Sequence, residues 1–205
     1  MRRLFNPEAI IPLVSALLYM IASAYYVNGS YHQTIKTAPM TWTLALFTVV
    51  AGYMSYVRSP GQQRHWLTNI CNTADVIAVI MILSAVIGFH AYDTLAKPFD
   101  LVVAVTWLAA MLIWYLMQAK AANVAFNIAL VIAYIPLVLG LVDCLSLEKP
   151  HGEPYWTWVL VFAASVLGLY LPIRKRDGLA LAYALRSAMS TGLVLSLMTK
   201  IDGLW

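Results

Sequence analysis

The string AYIPLV at residues 133–138 places a proline inside a long apolar run, and a nearly identical string, AIIPLV, occupies residues 9–14. A proline inside a helix removes one backbone hydrogen bond and crowds the preceding turn, so it is costly in an ordinary helix. Its recurrence in the same apolar context indicates that part of the chain is duplicated.

The composition around these strings is typical of a membrane protein. Of the 205 residues, 62% are hydrophobic and only 11% are charged, whereas a soluble domain has about 25% charged residues. The mean hydropathy is +0.77. We therefore expect an integral membrane protein in contact with the lipid bilayer. The net charge of +4 then indicates orientation in the membrane rather than nucleic-acid binding.

Seven segments are apolar and long enough for a helix to cross the bilayer, which takes about 20 residues. The sequence thus predicts an all-α membrane protein with seven transmembrane helices and no extramembrane domain. The predicted spans are 8–27, 40–57, 70–91, 99–118, 122–142, 155–172 and 179–199.

Basic residues concentrate on one side of this seven-span arrangement, while acidic residues balance or exceed basic ones on the other. Because cytoplasmic loops are enriched in Lys and Arg, we expect a cytoplasmic N-terminus and an external C-terminus, in a bacterial inner membrane. The basic side carries Arg2, Arg3, Arg58, Arg64, Lys120, Arg174, Lys175 and Arg176, and the other side carries Lys36, Asp93, Lys97, Asp100, Asp143, Glu148, Lys149 and Glu153.

The two proline strings belong to a longer internal match. They align at an offset of 124 residues, and the match continues at an offset of 116. The change of offset predicts that the loop after the first helix is eight residues longer than the loop after the fifth. At the second offset Trp42, Leu44, Val50, Gly52 and Arg58 align with Trp158, Leu160, Val166, Gly168 and Arg174.

A step of four helices orients both halves of the match the same way through the membrane. The sequence therefore predicts two parallel three-helix bundles, residues 1–92 and 122–199, joined by a linker helix at 99–118. On this alignment Pro12 and Pro136 weaken the same turn in both bundles, which favours a pair of hinges for alternating access. Proline is also common in membrane helices for reasons of packing alone.

This 3+1+3 order, with a proline in the first helix of each bundle, resembles the SWEET and SemiSWEET sugar transporters. Their wider relatives include PQ-loop proteins and Pnu-type transporters of nicotinamide riboside and other vitamins. The resemblance implies a substrate path between the bundles. The PQ dipeptide is absent, since leucine follows both prolines. The family's asparagine in the third helix corresponds to Asn69 or Asn72, whereas the second bundle has Ala184 or Leu185 nearby.

Two charged residues lie inside predicted spans, Asp75 in the third and Arg186 in the seventh. Such charges cost at least about 2.5–3.5 kcal/mol at the bilayer centre, so they pair with one another or line a cavity. Both lie at similar depth in helices that the repeat makes equivalent, so we expect them to face each other. They form either a polar substrate site or an ion pair that only locks the bundles together.

Further polar residues accompany the two charges. A tyrosine, the arginine and two serines share one face of the seventh helix, and two asparagines lie at the start of the third. Amides and hydroxyls there would hydrogen-bond a substrate, and Arg186 would bind an anionic or carbonyl group. Two tyrosines in the first and fifth helices either line the path or serve packing. The predicted substrate-binding residues are Asn69, Asn72, Asp75, Tyr183, Arg186, Ser187, Ser190, Tyr19 and Tyr134.

The sequence contains no nucleophile motif, phosphate-binding glycine loop or metal-ligand spacing. We therefore expect no enzymatic activity, no cofactor and no metal. The predicted function is transport of a small polar solute, such as a sugar, nucleoside or vitamin-like compound, by alternating access. The alternative is a non-transporting receptor or an assembly subunit of a larger membrane complex; a homo-oligomer is compatible with both. A transporter requires a solvated central cavity that exposes both charges, whereas a scaffold requires a filled centre.

Overall fold

The computed structural model describes residues 7–60, 65–96 and 99–204, and all regular secondary structure within them is helical. Arg2, Arg3, Arg64 and Lys97, which contribute to the predicted orientation, lie outside the described residues. The helices are α1 Pro7–Tyr31, α2 Pro39–Arg58, α3 Ile70–Gly88, α4 Asp100–Leu116, α5 Ala119–Ser146, α6 Tyr155–Gly168, α7 Tyr170–Lys175 and α8 Gly178–Ile201.

Six helical segments in this part of the chain are long and apolar enough to cross a membrane, with α6 and α7 counted as one. By length and composition, the chain is a multi-pass α-helical membrane protein. The predicted linker, α4, is shorter at 17 residues. At 1.5 Å per residue it is about 26 Å long, against a hydrocarbon core of about 30 Å.

Local chemistry explains two of the helix ends. Asp177 caps α8, because its carboxylate accepts hydrogen bonds from the backbone N–H groups of Leu179 and Ala180 at 3.2 and 3.3 Å. Such a cap satisfies donors that have no partner inside the helix. Only Met117 and Gln118 separate α4 from α5, so the chain turns tightly between these two helices.

The two proline strings do not occupy equivalent positions. Pro12 lies five residues after the start of α1, whereas Pro136 lies seventeen residues after the start of α5. The loops after α1 and α5 have seven and eight residues, so the predicted difference of eight residues is wrong. The prediction that both prolines weaken the same turn is therefore also wrong. Membrane helices draw on few residue types, so a short apolar string recurs without marking equivalent positions.

The rest of the internal match agrees with the helix positions. The segment α6–α7 begins at Tyr155, 116 residues after Pro39 opens α2, which equals the offset found in the sequence. The ends of α1 and α5, at Tyr31 and Ser146, are 115 residues apart. A nearly constant offset thus relates α1 and α2 to α5 and α6–α7.

Helix packing joins the two halves of the chain. α3 packs against α1 and α2, and α8 packs against α5 and α6. Between the halves, α1 packs against α6, α2 packs against α5, and α3 contacts α8. The helix α4 lies against α5 and α2.

One of these contacts depends on a glycine. A Cβ atom at Gly168 of α6 would overlap Sγ of Cys71 in α3 and would lie 3.4 Å from Oγ of Ser15 in α1. Ser15 stabilises the contact between α1 and α6, because its hydroxyl donates a hydrogen bond to the backbone carbonyl of Ala164 at 2.7 Å. The absent side chain at Gly168 therefore lets three helices approach closely.

Contacts between helix ends define two faces of the molecule. Lys36, after α1, forms an ion pair with Asp93, after α3, at 2.7 Å. Glu8, at the start of α1, forms an ion pair with Arg174, at the end of α7, at 2.9 Å. We call these the Lys36 face and the Arg174 face.

Candidate functional site

A cavity of about 420 Å³ opens among the helices and extends to the Lys36 face. Every helix except the short α7 contributes to its lining. Its inner end is formed by Asp75 and Arg186, and loop residues such as Thr37 and Gly152 line its outer end. The volume falls within the range of small-molecule binding sites, roughly 300–1,000 Å³.

Asp75 of α3 and Arg186 of α8 face each other at the inner end, as the sequence predicts. Nη2 of Arg186 lies 3.8 Å from Oδ2 of Asp75. The hydroxyl of Tyr183 donates to the same carboxylate oxygen at 2.7 Å. The guanidinium carbon of Arg186 lies 4.3 Å from the centre of the Tyr183 ring, a cation–π distance. Tyr183 therefore orients both charged side chains.

The ion pair leaves much of its hydrogen-bonding capacity unused. The Arg186 side chain is only 7% exposed, and its Nε and Nη2 have no hydrogen-bond partner among the described residues. The distance of 3.8 Å to Asp75 is too long for a hydrogen bond. Buried polar groups are normally satisfied, so this guanidinium has the capacity to bind an acceptor in the cavity.

Tyr19 connects the cavity wall to a cluster of hydroxyl groups. Its hydroxyl lies 2.8 Å from Oγ of Ser165 and 2.8 Å from Oγ of Ser187, and the two serine oxygens are also 2.8 Å apart. This triangle ties α1, α6 and α8 together. Ser187 is therefore satisfied within the protein and does not line the cavity, whereas Tyr19 does.

Residues at equivalent helix positions in the two halves line the cavity. Tyr19 and Tyr134 each lie twelve residues before the end of their helix, and both line the cavity. Trp42 and Trp158 each lie three residues after the start of theirs and both line it as well. The aromatic wall is thus contributed about equally by the two halves.

The outer part of the cavity contains further polar atoms without a partner among the described residues. Trp158 is satisfied, since its Nε1 donates to Glu153 at 3.3 Å. Five of the eight buried side-chain atoms without a partner in the described residues nevertheless belong to cavity-lining residues. They are Nε1 of Trp42, Nδ1 of His151, Oγ1 of Thr157, and Nε and Nη2 of Arg186.

The Arg174 face is closed by contacts between the two halves of the chain. The hydroxyl of Tyr56, at the end of α2, donates to Oδ2 of Asp177 at 2.8 Å, and both residues are buried. Glu8 accepts from Arg174 at 2.9 Å and from Lys175 at 3.0 Å. The cavity-lining residues come from the other side of the ion pair, towards the Lys36 face.

Some predicted site residues lie away from the cavity. Asn72 is fully buried, and its amide, oriented to satisfy both groups, donates to the carbonyl of Val49 and accepts from the N–H of Tyr53, each at 3.1 Å. It therefore joins α3 to α2. The predicted residues absent from the lining are Asn69, Asn72, Tyr183, Ser187 and Ser190, and those present are Tyr19, Asp75, Tyr134 and Arg186.

Sequence reasoning missed the outer part of the cavity. Trp42 and Trp158 are aligned by the internal match, and so are Thr41 and Thr157. All four line the cavity. Tryptophan near the end of a span is typical of the membrane interface, which hides a second role. The signal in the sequence is the adjacent pair Thr-Trp, which recurs at an offset of 116 residues.

The assignment of this site depends on its own geometry. In the described ranges, no group of three or more His, Cys, Asp or Glu side chains could hold a metal ion. Comparisons with protein-family models, with curated proteins and with solved structures give no match.

Proposed function

We propose that this chain transports a small polar solute by alternating access between two three-helix bundles. The bundles are α1–α3 and α5–α8, with α6–α7 as one span and α4 as the linker. The observation that carries the proposal is the one-sided cavity: it reaches Asp75 and Arg186 from the Lys36 face, while contacts between the bundles close the Arg174 face. A scaffold subunit needs no such path.

The helix contacts support the two-bundle arrangement. If the bundles are equivalent, α1 corresponds to α5, α2 to α6 and α3 to α8. Each contact in one bundle then has a counterpart in the other: α1–α3 corresponds to α5–α8, and α2–α3 to α6–α8. The contact α1–α6 between the bundles likewise corresponds to α5–α2, and all of these contacts exist. Parallel repeats related by an axis along the membrane normal are a known transporter architecture, so the pattern supports a SWEET-like 3+1+3 arrangement.

The closing contacts are of a strength that a transport cycle can break. The hydrogen bond from Tyr56 to the Asp177 carboxylate joins one bundle to the other, and a hydrogen bond to a charged group contributes about 1.5–3 kcal/mol. The Glu8 ion pairs are solvent-exposed, and such pairs contribute little. Binding of a solute can shift an equilibrium of this size between two states.

Basic residues indicate which side the cavity serves. Within the described ranges, the Arg174 face carries an excess of them, which is typical of the cytoplasmic side. On this orientation the cavity opens away from the cytoplasm. The basic residues are Arg58, Lys120, Arg174, Lys175 and Arg176.

A cysteine in the cavity tests alternating access without a known substrate. Gly140 lines the cavity, and a Cβ there meets no atom within 4 Å, so Gly140→Cys fits. It is introduced together with Cys144→Ser, because Cys144 also lines the cavity. A membrane-impermeant maleimide is applied to either face of oriented vesicles. We expect fast modification from the Lys36 face and slower modification from the Arg174 face.

Weakening the closure sharpens this test. Glu8→Gln with Tyr56→Phe should increase modification from the Arg174 face. The Cys144→Ser protein without Gly140→Cys is the control, since Cys71 is buried. Modification restricted to the Lys36 face in both backgrounds would contradict alternating access and favour a receptor. In proteoliposomes, Arg186→Ala should abolish uptake of the transported solute, while the protein remains inserted in the bilayer.

A further inference from the structure

We infer that the solute carries a carboxylate on an apolar body, and that Arg186 binds this carboxylate beside Asp75. As a statement about what is transported, the inference rests on the proposed function. As a statement about what the cavity binds, it depends only on the groups that line it.

The unpartnered atoms of the cavity require a ligand rich in acceptors. Arginine and tryptophan nitrogens can only donate hydrogen bonds, and the hydroxyl of Thr157 can donate as well. Nε2 of His151 faces the carboxylate of Asp202 at 3.3 Å, so the neutral ring presents Nδ1 as an acceptor. The donors thus outnumber the acceptors among the five atoms. Nε and Nη2 of Arg186 form one edge of a planar fork, which matches the two oxygens of a carboxylate. A carboxylate is therefore the group that best satisfies the inner end.

The wall between the inner and outer ends is apolar and aromatic. A sugar presents hydroxyls over its whole surface and would leave many of them unpaired against this wall, at a cost for each buried group. A hydrocarbon or aromatic body instead contacts it favourably. The lining residues that form this wall include Trp42, Val79, Leu130, Leu137 and Trp158.

At the inner end of the cavity, Asp75 determines the charge that the ligand brings. The other two acidic lining residues, Asp100 and Glu153, lie at the outer end, where they accept hydrogen bonds from Thr41 and Trp158. A simple anion beside Asp75 and Arg186 would leave one net negative charge in a poorly solvated site, which is costly. Either the solute carries its own cationic group, which contacts Oδ1 of Asp75, or a proton enters with the anion and neutralises Asp75. Only Oδ2 of Asp75 accepts a hydrogen bond from the described residues. The ionisable groups that interact with Asp75 are Tyr19, Cys71, Tyr134, Tyr183 and Arg186.

Four probes with related phenyl-terminated skeletons test the inference by calorimetric titration of the purified full-length protein. They are L-phenylalanine, 3-phenylpropionate, 2-phenylethylamine and 3-phenylpropionamide, with L-leucine and 4-methylpentanoate as aliphatic counterparts. We expect a carboxylate probe to bind at least tenfold more tightly than the amine and the amide. Arg186→Gln should weaken that binding by at least about 30-fold, as removal of one partner from a buried charged hydrogen bond does.

Control variants separate binding from folding. Arg58 is exposed at the end of α2, so Arg58→Gln should leave binding unchanged. Arg186→Lys retains the charge without the fork and should recover part of the affinity. The variant Asp75→Asn identifies the source of the balancing charge. If the solute supplies the cation, this variant should bind L-phenylalanine more weakly. If a proton neutralises Asp75, the variant should bind 3-phenylpropionate more tightly.

Three results would overturn the inference. The amide or the amine could bind as tightly as the carboxylate probes, carboxylate binding could survive Arg186→Gln, or none of the probes could bind. The proposed function fails in a different way. Suppose that carboxylate binding depends on Arg186 but the cavity cysteine is never modified from the Arg174 face. The inferred ligand would then stand, and the proposed transport would be contradicted.

Discussion

The Arg174 face and the Lys36 face both bury polar side chains, but they differ in whether these side chains have hydrogen-bond partners. At the Arg174 face, the buried hydroxyl of Tyr56 donates to the buried carboxylate of Asp177. At the Lys36 face, Trp42 and Thr157 leave buried polar atoms without a partner in the described chain. Satisfied polar groups hold helices together, whereas unsatisfied ones around a cavity require a solute or water. The Arg174 face is therefore held together by its polar groups, whereas the cavity at the Lys36 face retains free hydrogen-bonding capacity.

The largest effect should come from adding volume to the tight contact between α6, α3 and α1. Gly168→Val would overlap Cys71 and crowd Ser15, and we expect it to lower stability by about 3 kcal/mol, because overpacking forces neighbouring helices apart. Gly140→Val is the matched control, since that position faces open space in the cavity. Thermal unfolding in detergent compares the two. Equal midpoints would contradict the tight packing of α6.

Removing one hydroxyl should weaken the closed face by a smaller amount. Tyr56→Phe keeps the ring but loses the hydrogen bond to Asp177. We expect a loss of about 2 kcal/mol, the contribution of a hydrogen bond to a charged group. Asp177 keeps its capping bonds to α8, so the helix should remain intact by circular dichroism. An unchanged midpoint would show that this contact does not hold the two halves of the chain together.

Removing a hydroxyl at the open face should have the opposite sign and the smallest size. Thr157→Val deletes a buried hydroxyl with no partner among the described residues, and replacing such a group by a methyl stabilises by about 1 kcal/mol. Thr48→Val is the control, because the Thr48 hydroxyl donates to the carbonyl of Leu44 at 2.7 Å. The control should be neutral or destabilising. A lower unfolding midpoint for Thr157→Val than for Thr48→Val would mean that Thr157 is already satisfied.

The ion pair could be predicted from the sequence because physics leaves few options for it. A charge inside a membrane span needs a partner, and only Asp75 and Arg186 were available at similar depth. The location of the cavity could not be predicted in the same way. Whether Asn72 contacts a solute or the backbone of α2 depends on how closely α3 approaches α2, which the sequence does not encode locally.

The two prolines show another limit of prediction from the sequence. Short apolar strings match easily, so AIIPLV and AYIPLV suggested an equivalence that the helix positions exclude. The match between α2 and α6 was more informative because it included glycine and tryptophan. Gly168 is required by a close helix contact, and Trp42 and Trp158 line one cavity. Residues with a specific physical role carry positional information that leucine and valine lack.

The short fourth helix has a consequence for the surrounding lipid. Its outward side presents aliphatic residues such as Leu101, Val105 and Leu108, yet its length falls a few ångströms short of a typical hydrocarbon core. Lipids beside it must compress to avoid hydrophobic mismatch. The bilayer should therefore be thinner beside α4 than beside the longer helices α1 and α5, which have 25 and 28 residues.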